Sequence, residues 1–301
     1  MNSIKLTTNI NYPLISKRDE LWGVTVTSIG HQKIAQNESY PPNTHPQGYS
    51  FDFDNGRILN EYQLLYITEG KGVFAFGSSK KSCIITKGKM FLFMPGVWHT
   101  YKPIKDTGWN EYWIGFNGKI IEKIVNEGFF LNRVPVFNIG INEKIINLYN
   151  KGIEISLEER AGLQQELSGI LMHILGLMYS CDKMSDFKDE VLLVKINKAK
   201  DIMQEDVYKI KNAEDIAKNI GISYSGFRKA FKKFTGTSPS KYMCDLKLNE
   251  AKILLSKTCM SIKEISCSLN FDSSNYFHIF FKKRTGQTPK EYRYRSFINY
   301  I

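Results

Sequence analysis

Hydrophobic and polar positions change their period twice along this chain. From Leu21 to Phe116 apolar residues come in short runs of β-branched and aromatic side chains: LWGVTVTSI, YQLLYITEG, KGVFAFG, CIITKG, MFLFMPG and NEYWIGF. Gly70, Gly72, Gly77, Gly88 and Pro95-Gly96 punctuate them. Short strands at close spacing between such breakers predict a small antiparallel barrel or jelly roll over 21–116. Residues 1–20 are polar, carry scattered Ile and Leu without a period, and read as an N-terminal arm.

After Asn117 the period becomes helical. Apolar residues recur at three and four from Ile141 to Leu157, and Leu163, Leu167, Ile170, Ile174 and Leu177 step by 4, 3, 4 and 3. That step is a coiled-coil seam too short to be stable by itself, so it needs a partner surface. The chain's own barrel and a second copy of the chain both qualify. The second copy is the functional reading, because joining two binding modules raises effective concentration at paired sites. Residues 117–182 are assigned on this basis as a helical dimerisation segment, and the polar stretch 183–190 as a linker.

From 191 to 301 the pattern is helical and repeated. Val191, Val194, Ile196, Ala199, Ile202 and Met203 mark an opening helix. The phrase FRKAFKKFTGTSPSKY (227–242) then recurs as FHIFFKKRTGQTPKEY (277–292), with phenylalanine, Lys-Lys, Thr-Gly, Pro and Tyr positions aligned fifty residues apart. Such duplication marks a structural module used twice. Each copy follows a short helix, one capped by Asn212 and ending at Gly221, the other opening with the Ser261/Glu264 capping box and ending at Asn270. Gly and Asn accept positive φ most readily, so each helix can make the sharp bend of a helix-turn-helix. Ser223 and Ser273 are placed to cap the second helix of each unit. A helix from Pro239 to about Lys257, about 27 Å long at 1.5 Å per residue, spaces the modules so that their second helices can enter successive major grooves.

Charge locates the partner. Of 41 Lys and Arg, 21 fall in 191–301, against only 10 of the 30 Asp and Glu; the first 190 residues hold 20 of each. A basic unit joined to a neutral one points to a polyanion for the former and a different task for the latter. In the first repeat Ser225, Arg228, Lys229 and Lys232 oppose the apolar side; in the second Ser274, Asn275, His278 and Lys282 do so. Arg can read guanine and Asn adenine, while Lys232, Lys233, Lys282 and Lys283 suit phosphates. Together with Ser223, Tyr224 and Ser273 at the helix starts, these are the candidate DNA-binding residues.

The neutral half contains all four tryptophans, Trp22, Trp98, Trp109 and Trp113. Aromatic faces with a few polar tips suit a ring-shaped, hydroxylated or otherwise amphipathic small ligand in a barrel mouth, and His45, Trp98, His99, Tyr101 and Trp113 are the candidate ligand-binding residues. His45 and His99 stand alone, without the clustered His and Glu ligands of a cupin metal centre, so no metal, cofactor or catalytic residue is expected. Cys83, Cys181, Cys244, Cys259 and Cys267 show neither a disulfide framework nor a zinc spacing and read as buried small apolar residues of a reducing compartment. No apolar leader or 18-residue apolar stretch occurs, which predicts a cytoplasmic protein with no membrane partner.

GISYSGFRKAFKKFTGTSP and IKEISCSLNFDSSNYFHIFFKKRTGQTPKEYR resemble the DNA-binding domain of the AraC/XylS family of bacterial transcription regulators. YQLLYITEGKGVF, GKMFLFMPGVWHTYKP and GWNEYWIGF are similar to its cupin-like effector-binding domain. The resemblance implies an α+β multidomain chain, a cupin-like β-barrel or jelly roll with a helical dimerisation segment before an all-α domain of two helix-turn-helix motifs. It implies base contacts from Ser225, Arg228, Lys229, Ser274 and Asn275. Asn270 stands where the family usually has Gly, and Ile279 where a polar residue or Arg is common. The expected function is effector-responsive, sequence-specific transcription regulation, with a sugar as effector and double-stranded DNA, a second copy and RNA polymerase as partners. The alternatives are a constitutive DNA-bound regulator whose barrel only mediates protein contacts, and a cupin enzyme fused to a DNA-targeting domain.

Overall fold

The computed structural model describes residues 8–42, 51–130, 134–185, 189–205, 207–208 and 212–298. The chain divides into two compact units, Met1–Asp186 and Phe187–Ile301.

In chain order the first unit contains β1 (Thr8–Asn11), α1 (Lys17–Glu20), β2 (Thr25–Ile34), β3 (Arg57–Ile58), β4 (Tyr62–Phe76), β5 (Lys81–Thr86), β6 (Lys89–Phe93) and β7 (Trp98–Pro103). There follow β8 (Trp109–Asn117), α2 (Lys119–Asn126), β9 (Val136–Asn138), α3 (Glu143–Ser156) and α4 (Leu163–Ser185). One antiparallel sheet runs β1-β2-β8-β4-β6-β9, and β5, β4, β7 and β3 form a second. Strand β4 belongs to both, because Tyr62–Ile67 pair with β6 and β8 whereas Lys71–Phe76 pair with β5 and β7. The predicted strands 62–70 and 71–77 are therefore one strand. It bends at Gly70, where φ is +78 and a Cβ would strike the Gly108 carbonyl, a conformation only glycine adopts without strain.

Strict alternation along β8 separates two cores. Tyr112, Ile114 and Phe116 join Val26, Ile29, Leu64 and Tyr66 against Tyr149 of α3 and Leu167, Leu171 and Ile174 of α4. Trp109 and Trp113 face the opposite way and pack with Leu65, Phe91 and Phe93 against Phe74 and Tyr101 of the second sheet. The space between the sheets is thus an aromatic barrel interior, with the helices outside it.

Three expectations change here. Leu163, Leu167 and Ile174 of the coiled-coil step are buried in this unit's own core, and Ile170 and Leu177 pack against it. The period reports a face that buries, and the sheet together with α3 is what it buries against. Residues 8–11 of the arm form an edge strand on β2, held also by Asn11 Nδ2 donating to the Ser156 carbonyl. No cysteine is buried: Cys83, Cys181 and Cys244 are half-buried and Cys259 and Cys267 exposed, all as free thiols.

The second unit contains α5 (Glu190–Glu205), α6 (Ala213–Asn219), α7 (Tyr224–Thr235), α8 (Pro239–Lys257), α9 (Ile262–Ser268), α10 (Ser274–Thr285) and α11 (Pro289–Ile298). It has two small cores. Ile196, Ala199 and Met203 of α5 pack with Ile216, Ala217, Phe227 and Phe231. Ile265, Leu269, Phe277, Phe280 and Phe281 form the other. Helix α8 supplies Met243 to the first core and Leu248, Ala251 and Leu255 to the second. Tyr242, Leu246 and Leu254 of the same helix are only partly covered, as the helix serves two cores in succession. Val191 and Val194 are 67 % and 68 % exposed, whereas Leu192 in the same turn packs against the first core. Arg284 pairs with Asp245 at 2.6 Å, and Arg293 donates to the carbonyls of Leu255 and Met260 at 3.2 and 2.6 Å, closing the end of α8. Among the described residues no helix is long and apolar enough to cross a membrane.

Candidate nucleic-acid interface and effector chamber

Helices α7 and α10 start alike. The Ser223 hydroxyl accepts from Gly226 N–H at 3.3 Å and the Ser273 hydroxyl from Tyr276 N–H at 3.1 Å, satisfying donors that a helix start leaves free. The preceding turns pass through Gly221 at φ +64 and Asn270 at φ +54, so Asn270 takes the conformation its glycine counterpart takes. Gly226 has a local reason too. A Cβ there would lie 3.0 Å from Ser223 Oγ and 3.4 Å from Ile222 Cγ2, crowding the cap.

Phe227 and Phe231 in α7, and Phe277, Phe280 and Phe281 in α10, are buried. At about 100° per residue the side opposite them carries Ser225, Lys229 and Lys232 in α7, and Asn275, Ile279 and Lys282 in α10. All six are exposed, as are Arg228, Lys233 and Lys283. Each lysine pair sits in the last helical turn, where the dipole favours cations. Ser274 and His278 are half-buried, and His278 Nε2 is shielded without a hydrogen-bond partner. Tyr224 is 37 % exposed at the start of α7. Each module thus offers one exposed face bearing hydrogen-bonding groups and flanking cations, the form a major-groove reader takes.

Inside the barrel lies a cavity of about 20 Å³ lined by Tyr12, Tyr40, Arg57, Gln63, Tyr101, Glu111 and Trp113, among others. Arg57 Nη2 donates to Tyr101 Oη at 2.8 Å and to Gln63 Oε1 at 2.9 Å. Arg57 Nε reaches His99 Nε2 at 3.4 Å, and an arginine N–H can only donate. The His99 proton therefore sits on Nδ1, 3.0 Å from the Val97 carbonyl. Burial pushes His99 down to about 4, keeping it neutral. Its ring stacks on Phe93 with centroids 3.8 Å apart. Across the cavity the Tyr40 hydroxyl lies 3.2 and 3.3 Å from the two Glu111 oxygens. Burial raises Glu111 to about 8, against the opposing effects of Tyr40 and Arg57.

Of the five candidate ligand residues, Tyr101 and Trp113 line the cavity and His99 contacts its arginine. Trp98 does not line it; its Nε1 donates to the Asn55 carbonyl at 2.9 Å. His45 lies outside the described residues. Sequence reasoning missed Arg57, Gln63, Glu111 and Tyr40. Glu111 had a signal: it is the charged residue on the inward phase of Trp109, Glu111 and Trp113. Nothing local marked Arg57, which a two-residue strand carries inward.

Comparison with known proteins finds a match to each of the two units. A model described as the AraC-like ligand binding domain matches residues 26–185, and one described as a helix-turn-helix domain matches 216–295. The chain is 26 % identical over 256 residues to the lactose operon transcription activator of Staphylococcus xylosus, covering 81 % of this chain and 88 % of that one. It is 26 % identical over 250 residues to the Msm operon regulatory protein of Streptococcus mutans, covering 82 % and 88 %. It is 25 % identical over 279 residues to the raffinose operon transcriptional regulatory protein of Pediococcus pentosaceus, covering 88 % and 98 %. With an effector-domain match over more than half its length and two capped recognition helices behind it, the chain belongs to the AraC family of DNA-binding transcription regulators.

Proposed function

We propose that this regulator senses a sugar in the chamber between its two sheets and reads DNA through Ser225, Arg228 and Lys229 of α7 and Asn275 of α10. The observation that carries the effector reading is the set of buried Gln63, Tyr101 and Glu111 with half-buried Arg57 and Tyr40 around the cavity. Sugar hydroxyls both donate and accept, and this wall supplies donors and acceptors side by side beside the Trp113 ring. The operons named for the lactose and raffinose regulators support the same class.

A cavity of about 20 Å³ holds about one water. A sugar therefore enters when Tyr12, Tyr40 and Phe51 draw back from Arg57, and binds only that opened form. Such differential binding is what a ligand needs to shift a conformational equilibrium. Tyr12 belongs to the N-terminal arm, which makes the arm the part that responds. The protein acts in the cytoplasm as a homodimer. With the inner face of α4 occupied, the dimer contact falls to its outer face, where Glu166, Gly169, His173 and Gly176 are exposed.

Calorimetry of the full chain against lactose, raffinose and a monosaccharide panel, repeated with Arg57→Gln, tests the reading. Sugar binding that disappears in the variant is expected. Absence of binding by any sugar, with DNA binding intact, would favour the constitutive regulator.

A further inference from the structure

The two recognition helices align residue for residue, yet the centres of their exposed faces differ in kind: Lys229 in α7 becomes Ile279 in α10. Ile279 is 66 % exposed. The fold does not account for it. Ile is a weaker helix former than Lys; its neighbours Asn275, Lys282 and Lys283 are exposed and polar, and Tyr276, 53 % exposed one turn back, is the aromatic beside it, so nothing in the unit buries Ile279. Cations on the same face would hold it against a phosphate backbone. In the major groove one base presents an apolar group at its edge, the C5-methyl of thymine, while adenine offers the donor and acceptor pair that Asn matches. Asn275 and Ile279 are four residues apart on one stripe, about 6 Å along the axis, or about two base-pair steps.

We propose that Ile279 reads a thymine through its C5-methyl, within about two base pairs of an adenine read by Asn275, so that the second module selects A·T pairs. The proposal rests on the DNA-reading assignment of α10 made above.

The test uses the full chain. A binding site is selected from a random duplex library, and each thymine in it is replaced singly by deoxyuridine, which removes only the methyl group. One replacement should weaken wild-type binding about four-fold, the worth of one buried methyl-sized group. Ile279→Ala should bind the thymine and deoxyuridine duplexes equally, and Ile279→Lys should shift selection at that position towards G·C. Melting temperatures of both variants should match wild type, since the side chain is exposed. Methyl dependence that persists in Ile279→Ala, or a selected site with no methyl-dependent thymine, would overturn the inference and leave the DNA-reading assignment standing. Failure to select any sequence would remove both.

Discussion

Gln164 of α4 pairs with Val26 of β2 as one peptide group pairs with another. Its Oε1 accepts from Val26 N–H at 2.9 Å and its Nε2 donates to the Val26 carbonyl at 3.0 Å. The same Nε2 reaches the Leu14 carbonyl at 3.2 Å, so one buried amide ties helix, strand and arm. Gln164→Leu leaves the Val26 groups unpaired, and each buried unsatisfied group costs about 1–3 kcal/mol. Urea unfolding should show a loss of about 2–6 kcal/mol, and Gln164→Glu should not restore it. An unchanged midpoint would mean that water replaces the amide.

Arg57→Gln should abolish effector binding, because the guanidinium that bridges Gln63 and Tyr101 is lost. Trp98→Ala should leave sugar affinity within about two-fold, since that ring lies off the cavity and a group without ligand contact contributes little binding energy. Calorimetry of the two variants side by side decides whether the chamber or the outer aromatic surface holds the ligand.

Glu111 is raised by burial from 4.5 to about 8, and His99 is lowered by burial from 6.5 to about 4. Between pH 6.5 and 8 the folded chain holds a Glu111 proton that the unfolded chain has lost, so stability falls as pH rises through that window. His99 acts oppositely, favouring the fold above 6.5 and withdrawing that support as pH falls towards 4. The expected decline is at most about 2 kcal/mol from pH 6.5 to 8, at 1.36 kcal/mol per pH unit. Denaturation across this range should show the slope in wild type and not in Glu111→Gln. Equal slopes would assign the titration elsewhere.

On DNA, Arg228→Ala should cost about 1–3 kcal/mol of specific affinity and relax one base preference. Lys282→Ala should weaken all sequences alike and reduce the salt slope by about 1. Competition binding at several salt concentrations separates the roles, and a uniform loss for Arg228→Ala would make it a phosphate contact.

Asn270 at φ +54 predicts an asymmetric pair of variants. Asn270→Ala should destabilise by about 1 kcal/mol, because alanine keeps a Cβ in left-handed backbone while losing the side-chain hydrogen bond to the Tyr208 carbonyl that offsets it. Asn270→Gly should be near neutral, since glycine relieves that strain while losing the side-chain bond to the Tyr208 carbonyl. Thermal unfolding checks both.

The repeat, its caps and its charges were legible in the sequence because they are local. A helix start needs a hydroxyl within three residues of a free N–H, a sharp turn needs Gly or Asn, and a basic unit is basic wherever its residues point. The bounds of α8, Pro239–Lys257, follow from such signals, and so does the barrel class of the first half. Partners across the chain were not legible. Leu163, Leu167 and Ile174 announce a buried face without saying against what, and the sheet together with α3 of the same unit covers them. The edge strand β1 is four residues long, alternates Thr8 and Ile10 with two asparagines, which strands disfavour, and exists because β2 offers it backbone partners. The effector chamber is the clearest case. Arg57, Gln63, Tyr101 and Glu111 are separated by up to 54 positions in sequence and meet only when β4 bends at Gly70 to serve both sheets. Periodicity records which side of an element is dry; only tertiary packing decides which side chains share that dry space.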